Sequence, residues 1–162
     1  MGGGFITFSL MMAIKAKYVH TNLTARDWRK LAAFYQEVFG CTPRPPERDL
    51  AGAWLDRLTA LSGAHLTGIH LSLPGYGPDG PTLEIFSYDD LLEHPRPVVN
   101  ECGFGHLAFL VGDVAAALAA VLHAGGGAVG EISTTLVAGV GTLTVVYAKD
   151  PEGNILELQN WS

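Results

Sequence analysis

Apolar and polar positions alternate in two stretches of the chain that read alike. Near the C-terminus, the turn signal Asp150-Pro151-Glu152-Gly153-Asn154 feeds the run Ile155, Leu156, Glu157, Leu158. Upstream, Pro78-Asp79-Gly80-Pro81 feeds Thr82, Leu83, Glu84, Ile85, and in both places proline stands six and glycine four residues before the glutamate. A duplicated unit should also align at its start. His20 and His106 each head an apolar segment, each is followed seven residues later by an aspartate (Asp27, Asp113) and twenty residues later by a glycine (Gly40, Gly126).

Read in order, the pattern predicts a strand over Lys17 to Leu23 with His20 near its middle. A helix follows, with Thr24 and Asp27 at its start, an apolar face of Trp28, Leu31, Phe34, Tyr35, Val38 and Phe39, and Gly40 at its end. Pro43, Pro45 and Pro46 break regular structure, and Gly52 to Leu61 reads as a short helix or as a loop covering a sheet edge. Strands over Ala64 to Leu73 and Thr82 to Ser87, joined by the Gly- and Pro-rich segment Pro74 to Pro81, complete the first unit, and Asp89 to Glu101 reads as linker. The second unit has a strand over Phe104 to Val111 bearing His106, and a helix over Val114 to Ala124 capped by Asp113 and stopped by Gly125-Gly126-Gly127. Strands over Val129 to Val137, Thr142 to Ala148 and Ile155 to Trp161 follow. The first half thus reads as a β-α-β-β-type unit and the second as β-α-β-β-β, an α+β arrangement, with 64 positions from His20 to Glu84 and 51 from His106 to Glu157.

Composition narrows the partners. The 162 residues, 48% of them hydrophobic, suffice for one compact domain or two small modules sharing a core. A net charge of -6 with ten Lys and Arg argues against nucleic acid and for a small molecule. Cys41 and Cys102 form no CxxC unit, which disfavours a disulfide framework and a thiolate zinc site and fits a reducing cytoplasm. Phe5 to Ile14 is apolar, yet no basic residue precedes it and no small-x-small site follows, so residues 1–16 read as an extension with Met11 or Met12 as alternative starts. Elsewhere no apolar run is long enough to span a membrane.

The alternating runs place a carboxylate where burial is costly unless it is paired or bound to a metal. In a strand, alternate side chains share a face, so a histidine on the first strand of each unit and a glutamate on the last can point into one concavity. His20, Glu84, His106 and Glu157 then supply two imidazoles and two carboxylates, a set that neutralises a divalent Ni, Zn, Co, Mn or Fe ion and leaves room for substrate. The plainer reading of any one of them is a hydrogen-bonded core histidine or a solvated glutamate; their joint recurrence at equivalent places favours the metal. The other histidines are weaker candidates. His123 suits the C-terminal dipole of its helix, His94 precedes a proline in the linker, and His65 and His70 lie five apart on one strand and so face opposite sides, with His70 the one able to line a pocket.

These residues resemble the vicinal oxygen chelate superfamily, which includes glyoxalase I, methylmalonyl-CoA epimerase, extradiol dioxygenases and the bleomycin- and fosfomycin-resistance proteins. The segments carrying the resemblance are His20-Thr21 through Phe34-Tyr35 to Gly40, Gly105-His106-Leu107-Ala108-Phe109, and Asp150-Pro151-Glu152-Gly153 to Leu156-Glu157-Leu158. The resemblance implies one domain over residues 17–162, with two βαβββ modules (17–88 and 104–162, linker 89–103) forming a half-open barrel around a metal, and a homodimer that completes the sites. It implies His20, Glu84, His106 and Glu157 as ligands, an order closest to that of glyoxalase I, where the epimerase usually has Gln in the place of Glu84. The implied activity is that of a metal-dependent lyase or isomerase that transfers a proton next to a chelated carbonyl by way of an enediolate, with Glu157 as base and Glu84 serving the other face. An extradiol-type dioxygenase using His20, His106 and Glu157, or a non-catalytic antibiotic-binding protein, are the alternatives. Thr24 stands where bacterial glyoxalase I typically has an arginine for glutathione, and Tyr88 where it has an asparagine; Arg26 and Arg96 are the candidates for a displaced carboxylate contact.

Overall fold

The structure, a computed structural model, describes residues 14–93 and 97–162. Most of the N-terminal extension, with Met11 and Met12, lies outside the described residues, as do His94 and Arg96. The first module runs β1 (His20–Thr24), α1 (Trp28–Phe39), β2 (Thr42–Ala51), α2 (Ala53–Thr59), β3 (His65–Ser72), β4 (Thr82–Tyr88); the second runs β5 (Leu107–Leu110), α3 (Val114–His123), β6 (Gly127–Ala128), β7 (Ser133–Val137), β8 (Gly141–Lys149), β9 (Ile155–Trp161). Each forms its own mixed sheet. The first has the order β1-β4-β3-β2, the second β5-β9-β8-β6, with β7 also paired to β8. In both, the first strand lies parallel to the last and every other pairing is antiparallel. Neither sheet closes, giving the α+β half-open arrangement of two βαβββ modules.

Local chemistry explains the helix ends. Asp27 accepts from the Lys30 amide and Asp113 from the Ala116 amide, each satisfying an N-H that the first turn leaves without a partner. Gly40 closes α1 in the left-handed region at φ 68°, with its amide on the Gln36 and Tyr35 carbonyls. Thr24 takes no part in the cap: it ends β1, and its hydroxyl meets Asn22. The proline-rich segment departs from expectation. It is a ten-residue strand, tolerated because β2 is the outer edge of its sheet, where a missing N-H costs no ladder bond on the solvent side, and because a bulge interrupts its register between Arg44 and Arg48. Gly52 to Leu61 resolves to the short helix α2. The expected strand over Val129 to Val137 is present only as β7, while the short β6 precedes it, and both pair with β8.

One core serves both modules. Leu23, Tyr35, Ile69, Leu83 and Ile85 of the first pack in the same buried cluster as Val114, Val121, Val146, Leu156 and Leu158 of the second. Phe39 stacks on Phe109 with ring centroids 3.9 Å apart, and the buried Tyr35 hydroxyl donates to Asp150 at 2.9 Å. Asp150 is the only buried carboxylate among the described residues. It is satisfied by the Glu152 and Asn154 amides and the Asn154 side chain as well, and thereby ties the α1 side of the core to the turn before β9. Arg26 is engaged by Glu152 and Glu93, a surface clasp that leaves it no free fork for a substrate. A satellite cluster of Leu55, Ala64, Leu66 and Phe86 seats α2 against the other face of the first sheet.

Candidate functional site

Strand alternation fixes where the candidate carboxylates point. Leu83 and Ile85 lie in the shared core, so Glu84 between them faces the opposite side of the first sheet; Leu156 and Leu158 place Glu157 in the same way on the second. Both glutamates are mostly covered, their side chains 14% and 17% exposed.

In the first sheet Glu84 pairs across β1 with Asn22 and across β3 with His70, and His20 stands two residues before Asn22 on the same face. Asn22 Nδ2 donates to Glu84 Oε2 at 2.9 Å, and His70 Nε2 meets Glu84 Oε1 at 2.8 Å. The His70 Nδ1 lies 3.1 Å from the Thr82 hydroxyl. Burial pushes the His70 imidazole below its ordinary value; Glu84 opposes this, while Arg48, His20 and Arg44 add to it. The neutral ring fits one tautomer, with Nε2-H donating to Glu84 and Nδ1 accepting from Thr82. His20 Nε2 lies 3.6 Å from Glu84 Oε2, beyond a hydrogen bond.

The second sheet repeats the frame with different neighbours. Glu157 pairs with Ala108 on β5 and with Tyr147 on β8, and His106 stands two residues before Ala108, just ahead of β5 rather than within it. His106 Nε2 lies 3.3 Å from Glu157 Oε2, and its ring lies 5.2 Å from that of Tyr147. Burial, then the neighbouring Glu157 carboxylate, raises the Tyr147 phenol above its ordinary value, so it stays protonated and able to donate. A cavity of about 270 Å³ lined by Leu143, Val145, Tyr147 and Glu157 opens beside this pair.

The four residues singled out in the sequence are therefore brought together as two pairs, not as one cluster. Among the described residues no three His, Cys, Asp or Glu side chains converge in metal-binding geometry. Within each pair the donor chemistry fits a first-row dication: ligands at about 2.1 Å in a tetrahedral shell stand about 3.4 Å apart, and the observed N···O separations are 3.6 Å and 3.3 Å. Each pair supplies half of such a shell. Sequence reasoning undervalued His70. The signal was available in the hairpin, since His70 and Glu84 are each seven residues from Gly77, which makes them cross-strand partners if the loop is symmetric. His65 instead bridges Asp49 and Asp89 at 2.8 Å each, and His123 ends α3. Both cysteines are free; Cys41 is buried, its thiol pushed up to about 11 by burial.

Comparison with known proteins agrees with this frame. The family model of the Glyoxalase/Bleomycin resistance protein/Dioxygenase superfamily matches residues 17–158. The chain belongs to that superfamily. Among solved structures it is similar to a glyoxalase family protein from Bacillus cereus, with a TM-score of 0.70 at 17% identity over 93% of this chain and 95% of that one. It also resembles a point mutant of glyoxalase I from Zea mays (TM-score 0.58, 21% identity, 88% of this chain and 44% of that one). A third likeness is to the fosfomycin resistance protein FosX from Listeria monocytogenes, solved with Mn(II) and sulfate (TM-score 0.50, 15% identity, 93% and 95%). No curated protein matches the sequence. Among the described residues no helix is long and apolar enough to cross a membrane.

Proposed function

We propose that the protein is a metal-dependent lyase or isomerase of glyoxalase type, which moves a proton between adjacent carbons of a small substrate bearing two vicinal oxygens. The observation that carries this reading is the pair of His/Glu half-shells, His20 with Glu84 and His106 with Glu157, at equivalent places of two modules. A divalent cation held by these four side chains would supply Lewis-acid polarisation of the substrate carbonyl. Glu157 takes the proton from the carbon beside that carbonyl and returns it to its neighbour. It suits this role because its cross-strand neighbours are Ala108, which offers no donor, and Tyr147, whereas Glu84 has a donor on each oxygen.

Two half-shells on faces turned away from the shared core are completed by a second copy of the chain. In this homodimer His20 and Glu84 of one protomer meet His106 and Glu157 of the other. The sheet edges support the arrangement: β1 and β5 each end their sheet, with Phe104 and Leu110 exposed beside and within β5, and Tyr18 and Val19 exposed just before β1.

The decisive experiment is complementation read by metal content. His20→Ala and His106→Ala are purified separately, mixed in denaturant, refolded, then loaded with Co(II), freed of unbound metal and assayed by elemental analysis, each variant refolded alone serving as control. Either variant alone binds little metal. If sites form across two chains, the mixed dimer regains one intact site of two, so the refolded mixture holds about one quarter of the wild-type metal. No recovery would overturn the shared site, and full metal in both single variants would overturn the ligand set. Proton exchange with solvent deuterium, screened on 2-oxoaldehyde thiohemiacetals and acyl-CoA thioesters, tests the reaction itself.

A further inference from the structure

Beside the first half-shell lies a cavity of about 350 Å³ whose walls include Lys17, Arg44, Arg48, His70, Thr82 and Asp79. Its cations differ from the arginines of α1 and its approach. Arg26 is paired with Glu93 and Glu152, and Arg29 with Glu47. Lys17, Arg44 and Arg48 instead donate only to backbone carbonyls, of Asp79, Pro78 and Pro46, and none has a carboxylate within ion-pair distance among the described residues. One such bond uses one of a guanidinium's five N-H groups. With Asp79 as the single acidic side chain in the lining, the cavity concentrates positive charge in a chain whose net charge is -6.

The bulge in β2 builds this concentration. Arg44 pairs with His70 and Arg48 with Gly68, so four residues of β2 span only two of β3. Two arginines that a regular strand would hold about 13 Å apart therefore stand at positions about 7 Å apart. By strand pairing both share the face of His70 and Glu84. Gly68 has no room for a side chain, since a Cβ there would overlap Phe86 and the Ile85 carbonyl, so nothing from β3 rises between the two arginines. From β2 to β4 is two strand spacings, about 10 Å. Allowing for the reach of an arginine, an anion on these forks lies a few carbon atoms from the His20-Glu84 pair.

We propose that this cavity is the oxyanion subsite of the substrate, binding a terminal carboxylate or phosphoryl group while the vicinal oxygens of the same molecule engage the neighbouring half-shell. The inference rests on the metal-dependent reading above for its second half only. The substrate class is a small 2-oxo or 2-hydroxycarbonyl compound with a second anionic group a few carbons away. Paired guanidiniums suit such a group because each can bind it with two parallel N-H···O bonds, which an ammonium cannot reproduce.

Two measurements test it and separate its failure from failure of the metal site. In the first, metal-free protein is titrated with inorganic phosphate and followed by calorimetry. The wild type binds, with an affinity that falls as salt rises, and Arg44→Gln/Arg48→Gln weakens binding at least tenfold; Arg44→Lys/Arg48→Lys, which keeps the charge and checks the fold, falls between. Phosphate binding that is absent from the wild type, or unchanged in the double Gln variant, overturns the proposal whatever the metal does. In the second, Co(II)-loaded protein is titrated with 2-oxoadipate and with 2-oxohexanoate, which share a chelating end and differ in the distal carboxylate. The dianion binds at least tenfold more tightly to the wild type and equally with the monoanion to the double Gln variant. Equal binding of both compounds to the wild type overturns the proposal and leaves the metal site standing. Phosphate binding without any Co(II) uptake would sink the metal reading and leave the subsite.

Discussion

The two half-sites share one frame and differ in what flanks the glutamate. Glu84 sits between Asn22 and His70, with a donor on each of its oxygens, and borders a cationic cavity. Glu157 sits between Ala108 and Tyr147 and borders a cavity walled by Leu143 and Val145. The His-x-x position is the same in both, two residues before the cross-strand partner on the first strand. Duplication therefore preserved the places that present the pair, and divergence at the flanking strand positions made one carboxylate fixed and the other freer. On the function proposed above, the fixed carboxylate would serve as a ligand and the freer one would carry the proton.

That contrast can be broken most strongly at the glutamates. Glu157→Gln is expected to lower turnover by about 10²- to 10⁴-fold while the fold persists; Glu84→Gln should act chiefly on metal affinity, measured by competition with a chelating dye. Equal loss of turnover with unchanged metal affinity in both would erase the distinction. Next in size is the shell around Glu84. Asn22→Ala, which gives the first module the residue type of the second, should weaken metal binding about 10- to 100-fold, whereas Tyr147→Phe should change metal affinity less and alter the pH profile of turnover.

The link between modules offers a smaller effect. Tyr35 donates to Asp150, but the equivalent positions of the other half, Val121 and Gly77, can make no such bond. Tyr35→Phe removes one donor from a buried carboxylate and should cost about 1.5–3 kcal/mol by urea unfolding. The smallest effect is a pH dependence confined to the first module. Hydrogen bonds that His65 donates to Asp49, then to Asp89, raise its pKa. A raised folded-state value means that the native state holds the proton longer, so this contribution is full below the ordinary histidine value and is lost as pH rises through the folded one. His65→Asn should flatten that part of the Tm-against-pH curve; an unchanged curve would remove the clasp from the account.

Much of this frame was legible in the sequence because it is written in local chemistry. Asp113 and Gly40 mark helix ends by side-chain capping and left-handed backbone, and the Pro-x-Gly-x₃-Glu phrase marks both glutamates. What stayed hidden depends on pairing between strands. Prolines 43, 45 and 46 argue against a strand until the segment is known to be an outer edge. His70 is assigned its face by its register against Glu84, which shows in the sequence only if the hairpin about Gly77 is taken as symmetric. The repeat likewise shows that four residues are equivalent in pairs, but equivalence says nothing about convergence. The shared core, which takes Leu83, Ile85, Leu156 and Leu158, decides that the pairs look outward.

The proline-bearing strand has one more consequence, for how the first sheet can grow. A sheet extends by offering amide donors along a straight free edge. On the β2 side three of ten residues have no amide proton, and a bulge bends the line of those that remain. On the opposite side β1 is short, regular and free of proline. The sheet thus has a sealed margin and an open one, so uncontrolled stacking of copies is blocked at the first and any orderly union of strands must begin at the second.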